Sequence, residues 1–188
     1  MTSTLRWTSG DLEGLPDDGR RYEIIDGELF VSKQPHFYHQ HVCGKIYWFL
    51  EDWSNPSNLG QAITAPGLIF ADDDDDVVPD VAWLSWERLA AALGDDGKLH
   101  SAPDLVVEVL SPGSTNQRRD REAKLKLYSR RGVLEYWIVD WLGHSIEVYR
   151  RQNTDLDLFA TLIIGDLVES PLLPGFSKQV DAVFAGIS

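Results

Sequence analysis

Apolar and polar residues change period several times along the chain, and each change marks an element. From Arg21, RYEIIDGELFVSK alternates around Asp26-Gly27, a hairpin-turn dipeptide, and predicts two short strands. In HFYHQHVCGKIYWFLEDWS the apolar residues Val42, Ile46, Phe49, Leu50 and Trp53 recur at intervals of three and four. That spacing predicts a helix, ended by NPSNLG. QAITAPGLIFA, VVPDVAWLS and PDLVVEVLS are rich in Val and Ile, are bounded by Pro, Gly and Asp, and predict three strands. Between the second and third, WERLAAALGDDGK predicts a short helix stopped by Gly94. After the third, SPGSTNQRRDREAKLKLYSRRG reads as a loop feeding a helix that Gly132 terminates. VLEYWIVDW is a further strand, HSIEVYRRQ and LFATLIIGD a terminal pair, and the tail holds only short elements. Residues 1–20 form a lead-in closed by GLPDDG, and residues 21–188 form a single domain. Strands interleaved with helices predict an α/β or α+β domain around one central mixed sheet flanked by helices.

Composition narrows the function classes. The chain has 188 residues, 43% of them apolar, enough for a sizeable core. A single cysteine, Cys43, cannot form an internal disulfide, which fits a reducing compartment. The N-terminus lacks the basic and apolar regions of a signal peptide, and no apolar run approaches the roughly 20 residues of a membrane span. The expectation is a cytoplasmic protein. The formal charge of −13 disfavours non-specific attraction to a polyanion. Charge is unevenly spread, however: Asp72 to Asp76 form an unbroken acidic run, expected to be a solvated loop tip. Arg118, Arg119, Arg121, Lys124, Lys126, Arg130 and Arg131 concentrate positive charge in one short stretch.

Two acids stand out against their apolar neighbours. Glu108 interrupts Leu105-Val106-Val107-Glu108-Val109-Leu110, the pattern of a strand covered on both faces. An ionised carboxylate there is costly unless it is paired, hydrogen-bonded or bound to metal, so a structural salt bridge and a metal ligand both fit. Asp80 similarly interrupts VVPDVAWL, with Pro79 placing this strand at an edge or at its beginning; a turn or cap acid is the alternative. If the two strands are neighbours, the pair suits a hard cation such as Mg²⁺. On the following helix, positions 120, 124, 127, 128 and 131 share one face, so Lys124 lies on the stripe with Leu127 and Tyr128. Lys124 either snorkels past its neighbours or reaches Glu108, with Asp120 one turn earlier placed to pair with it.

Other signals are weaker. The aspartate run lacks the spaced ligands, central Gly and closing Glu of an EF-hand. His36, His39 and His41 do not share one helical face and have no cysteine pair beside them, which argues against zinc. No G-x-S-x-G, Walker loop or G-x-G-x-x-G occurs.

RYEIIDGEL, PHFYHQHVCGKIYWFL, VVPDVAWLS, PDLVVEVLSPGS, DREAKLKLYSRRGVLEYWIVD and SPLLPGF together resemble the Uma-type restriction-endonuclease family of the PD-(D/E)xK nuclease superfamily. The similarity runs in order from about Arg21 to Phe184. It implies a restriction-endonuclease-like fold and a Mg²⁺-dependent phosphodiesterase site, with Mn²⁺ as a substitute. Asp80 and Glu108 match the two acids, which would be metal ligands and catalytic. Leu110 stands where the parent motif has its lysine, and Lys124 matches the family's migrated lysine on the following helix. His39 matches a histidine recurring at the first helix, and Glu28 an acid of the DGEL turn; both are possible accessory residues, as is Asp120. Arg118, Arg119 and Arg121 either hold flanking phosphates or form a solvated helix face.

The function expected is Mg²⁺-dependent hydrolysis of DNA, with a homodimer and no membrane among the implied partners. The alternatives are a catalytically inactive nuclease-fold module that binds nucleic acid or protein, and a hydrolase of RNA or a small phosphodiester.

Overall fold

A computed structural model describes residues 6–70, 74–113 and 117–187. Asp26 and Gly27 both take positive φ, 56° and 72°, the geometry of a type I′ turn. They join β1 (Arg21–Ile25) to β2 (Glu28–Ser32) as the alternation predicts. The following helix, α2 (Phe37–Ser57), buries Val42, Cys43, Ile46, Phe49 and Leu50. It ends at Asn58 in the left-handed region, having taken Pro56 into its last turn.

Two runs that read as single strands are each broken by a proline. QAITAPGLIFA divides into β3 (Gly60–Thr64) and β4 (Leu68–Ile69), and the acidic run leads into β5 (Asp76–Val77), separated by Pro79-Asp80 from β6 (Val81–Ser85). In both cases the halves enter different sheets. Strands β2, β1, β5 and β4 form a small sheet. A mixed six-stranded sheet runs in the order β10-β9-β8-β7-β6-β3. Asp80 therefore lies at the junction between sheets and not within an apolar strand.

The six-stranded sheet contains β7 (Leu105–Val109), β8 (Glu135–Asp140), β9 (Ser145–Gln152) and β10 (Asp155–Ile163). Only β7 and β8 are parallel, and a parallel pair needs a crossover. That connection carries a π-helical turn, Arg119–Lys124, running directly into α4 (Leu125–Arg131), which Gly132 ends at φ 91°. Ser114 to Asn116 of the preceding loop lie outside the described residues. The short helix α3 (Trp86–Ala92) follows β6, and β11 (Leu167–Glu169), β12 (Ser177–Gln179) and α5 (Val180–Phe184) close the chain. A brief helical turn, α1 (Ser9–Leu12), lies in the lead-in.

The sheet separates two cores. Val81, Trp83, Leu105, Val107 and Val109 pack on one side with α2 and α5. Ala82, Leu84, Val106 and Leu110 pack on the other with Leu127 and Tyr128 of α4. The alternation along β7 sends Glu108 to the second side, where the crossover helix lies, and Asp80 stands just before β6 at the end of the sheet.

The acidic run departs from its expected solvation. Asp72 and Asp73 lie outside the described residues, but Asp75 is fully buried. It accepts hydrogen bonds from Arg130 (2.8 Å), from Arg131 (2.6 Å) and from the Asp26 N–H (2.7 Å). One carboxylate thus ties the end of α4 to the β1–β2 turn, a contact no local pattern announces. Among the described residues no helix is long and apolar enough to cross a membrane.

Candidate active site

Asp80 and Glu108 meet at the end of the six-stranded sheet. Strands β6 and β7 are antiparallel with Val81 opposite Val107, so one step further Asp80 stands opposite Glu108. Residues directly opposite share a face and lie close together. The backbone fixes this pairing further: the Val109 N–H donates to Asp80 Oδ2 at 2.9 Å. Both acids line a cleft of about 260 Å³ together with Arg21, Lys33, His39 and Arg119.

Different elements hold the two acids. Asp80 Oδ1 accepts from Arg21 of β1 at 3.1 Å, and His39 Nε2 of α2 lies 3.3 Å from Oδ2. Behind His39, Cys43 Sγ stands 3.6 Å from Nδ1, one helical turn along. The Cys43 thiol is pushed far up by burial and by the charges of Asp80 and Glu108, so it remains a thiol. In the neutral ring Sγ–H donates to Nδ1, which leaves Nε2–H to donate to Asp80. Burial by itself would raise the Asp80 carboxyl. The His39 hydrogen bond, with Lys124 and Arg21, outweighs it and holds Asp80 well below the ordinary carboxylate range.

Glu108 is held from the α4 side. Its Oε1 accepts from Lys124 Nζ at 2.8 Å and from the Tyr128 hydroxyl at 2.7 Å. Among the described residues Oε2 accepts no hydrogen bond, leaving it as the oxygen available to the cleft. Burial is the largest influence on this carboxyl. Lys124 opposes it, but Asp80, Asp120 and Glu23 add to it, and the group is pushed up to about 8.

Lys124 is itself completely buried and does not line the cleft. Burial works against its charge, but Glu108 and Glu23 outweigh that and hold the ammonium above the ordinary lysine range. Its second partner corrects the sequence expectation. Asp120 does not pair with Lys124; its Oδ1 accepts from Arg119 Nε at 3.0 Å, while Glu23 Oε1 of β1 lies 2.9 Å from Lys124 Nζ. The π turn carries Asp120 and Lys124 inward together, and such turns recur at functional sites.

The remaining candidates divide. Arg119 lines the cleft, but Arg118 pairs with Glu122 on the surface and Arg121 with Glu147 at 2.7 Å, away from the two acids. Glu28 is exposed and lines a neighbouring concavity with Arg118 and Arg119. His36 stacks on Trp141 and His41 reaches the Ala185 carbonyl, so the three histidines diverge. Sequence reasoning missed Glu23 and Arg21. The signal for Glu23 was present, since it interrupts the apolar run of RYEII just as Glu108 interrupts its own.

The donor set discriminates between cations. His39, Cys43 and Asp80 come within 4.8 Å of one another, but Cys43 Sγ faces His39 Nδ1 at 3.6 Å and does not line the cleft. Two opposed carboxyls with an unengaged Glu108 oxygen suit a hard, oxygen-seeking ion such as Mg²⁺.

A sequence-family description, "Uma2: Putative restriction endonuclease", matches residues 10–183. The chain belongs to the Uma2 family. No curated protein matches it. Among solved structures, the Uma2 chain is similar to the crystal structure of a putative nuclease belonging to DUF820 from Anabaena variabilis ATCC 29413. The TM-score is 0.74 at 20% identity, over 95% of this chain and 97% of that one. At that identity the likeness establishes the fold. The central mixed sheet flanked by helices is the nuclease-like architecture that the sequence motifs implied.

Proposed function

We propose that this Uma2 protein is a divalent-metal-dependent endonuclease hydrolysing phosphodiester bonds in DNA. The reading rests chiefly on one observation: Asp80 and Glu108 stand opposite each other at the floor of a cleft, with the Lys124 ammonium on Glu108. Charge balance supports it. Four buried carboxyls (Glu23, Asp80, Glu108 and Asp120) face three permanent cations (Arg21, Arg119 and Lys124). With all ionised the cluster carries one excess negative charge. A divalent cation would reverse its sign and match the single negative charge of a phosphodiester.

Such a cation, held by Asp80 and Glu108, would supply Lewis-acid polarisation of the phosphate and a water of lowered pKa. The protein's own groups have separate tasks. The Val109 N–H and His39 orient Asp80, and Tyr128 orients Glu108. Arg21 and Arg119 line the cleft and present guanidinium N–H groups to non-bridging phosphate oxygens. Lys124 acts from behind Glu108, its fixed charge favouring the negative charge that develops on the phosphate.

The test is nicking of supercoiled plasmid with Mg²⁺ or Mn²⁺ and with EDTA. Cleavage should require metal and be lost in Asp80→Ala and Glu108→Ala. Wild-type protein without metal-dependent cleavage, or cleavage by either variant at the wild-type rate, would remove the proposal. A second reading, a nuclease fold that binds nucleic acid or protein without turnover, is favoured by one feature: both Asp80 oxygens already accept from Arg21, His39 and the Val109 N–H. It predicts binding without nicking under every metal condition.

A further inference from the structure

Glu23 sits at the centre of β1 and is 1% exposed. Its strand belongs to the small sheet, outside the six-stranded one, and its buried neighbours Ile24 and Ile25 are apolar. Oε1 accepts from the Val78 N–H at 3.0 Å and from Lys124 Nζ at 2.9 Å. Lys124 therefore lies between two carboxyls, with Glu108 at 2.8 Å on the other side. Oε2 is buried and accepts no hydrogen bond; Arg119, 3.5 Å away, is its ion-pair partner. An acceptor left unsatisfied in this way costs stability, and packing alone would be served by an apolar residue.

Lysine placement explains why an acid stands here. Leu110 stands two residues after Glu108, just past the end of β7, so the ammonium comes from the helix on a flexible four-carbon stem. A single contact to Glu108 fixes its distance but leaves it free to swing. A second carboxylate on a different element, itself pinned by the Val78 N–H, removes that freedom.

We propose that Glu23 is the positioning residue for Lys124, a third carboxylate of the site that fixes the ammonium behind Glu108 and steadies Arg119 at the cleft. The proposal rests on the reading of Asp80 and Glu108 as the cation-holding pair. With Glu108 drawn toward a cation, Glu23 remains as the partner that keeps Nζ in place.

The first measurement uses metal-free protein: the ¹H–¹⁵N signals of lysine ammonium groups, with Lys124 assigned by its loss in Lys124→Arg. Wild type should show a slowly exchanging Lys124 signal, and Glu23→Gln should broaden or abolish it while the backbone amide spectrum stays folded. The second is metal-dependent plasmid cleavage. Glu23→Gln should lower kcat about tenfold or more with KM within about twofold, and Glu23→Asp should recover part of the loss. An unchanged ammonium signal in Glu23→Gln, or unchanged kcat, overturns the proposal. If Glu23→Gln does not fold, Glu23→Asp carries the test, since withdrawing the charge by one methylene should still perturb both readouts. A wild type that does not cleave defeats the nuclease reading, and the ammonium spectrum then decides the Glu23–Lys124 tether separately.

Discussion

Raising the pH should strengthen cation binding steeply, because Glu108 must lose a proton to become a ligand. Burial and the neighbouring Asp80, Asp120 and Glu23 push this carboxyl from its ordinary 4.5 up to about 8, against the pull of Lys124. The carboxyl therefore keeps a proton toward neutral pH, and each cation bound there should release up to one proton. The apparent affinity for Mn²⁺ should rise about tenfold per pH unit between roughly pH 5 and 8 and level off above. Asp80, held low by His39, Lys124 and Arg21, is ionised throughout and adds no slope. Calorimetric titration in two buffers of different ionisation enthalpy measures both affinity and proton release. The same group sets the sign of a stability change in metal-free protein. Its folded pKa lies above its unfolded one, so the folded state holds the extra proton between them. Stability through Glu108 is retained below the unfolded value and lost as pH rises toward 8, at about 1.4 kcal/mol per pH unit. Affinity that stays flat across this range, with no proton release, would mean that Glu108 does not titrate as a ligand of the cation.

Three further perturbations follow from contacts described above. Lys124→Met leaves Glu23 and Glu108 buried without their shared cation and should cost about 3–5 kcal/mol in urea unfolding. Asp75→Ala strips Arg130, Arg131 and the Asp26 N–H of their common acceptor. Because both arginines are partly exposed, the loss should be nearer 2–3 kcal/mol, read as a lowered urea midpoint at constant slope. Gly60→Ala places a methyl 2.1 Å from the Leu84 carbonyl oxygen across the β3–β6 pair, so thermal unfolding should fall by several degrees while the metal-free lysine spectrum is unchanged.

What the sequence made legible was local. The alternation around Asp26-Gly27, the three-and-four spacing of Val42, Ile46, Phe49 and Leu50, and the stripe through Lys124, Leu127 and Tyr128 each report one face of one element, and each appears as expected. The acids at 80 and 108 were visible because charge in an apolar run is costly wherever the run ends up. What was not legible depends on partners far along the chain. Asp75 reads as one of five solvated aspartates, yet its arginines lie 55 and 56 residues away. Lys124 has a neighbouring acid in Asp120, but the fold brings Glu23 to it across β1 and gives Asp120 to Arg119. Pro66 and Pro79 mark breaks within runs whose composition is uniformly β-prone, and only pairing decides that the two halves enter different sheets.

Anomalous diffraction from crystals soaked in Mn²⁺ tests the shared-cation site most directly. A peak is expected between Asp80 and Glu108, within about 2.0–2.3 Å of one oxygen from each, with Lys124 still on the far side of Glu108. A peak at His39 and Cys43 instead, or no peak near the two acids at a concentration that supports cleavage, would contradict it.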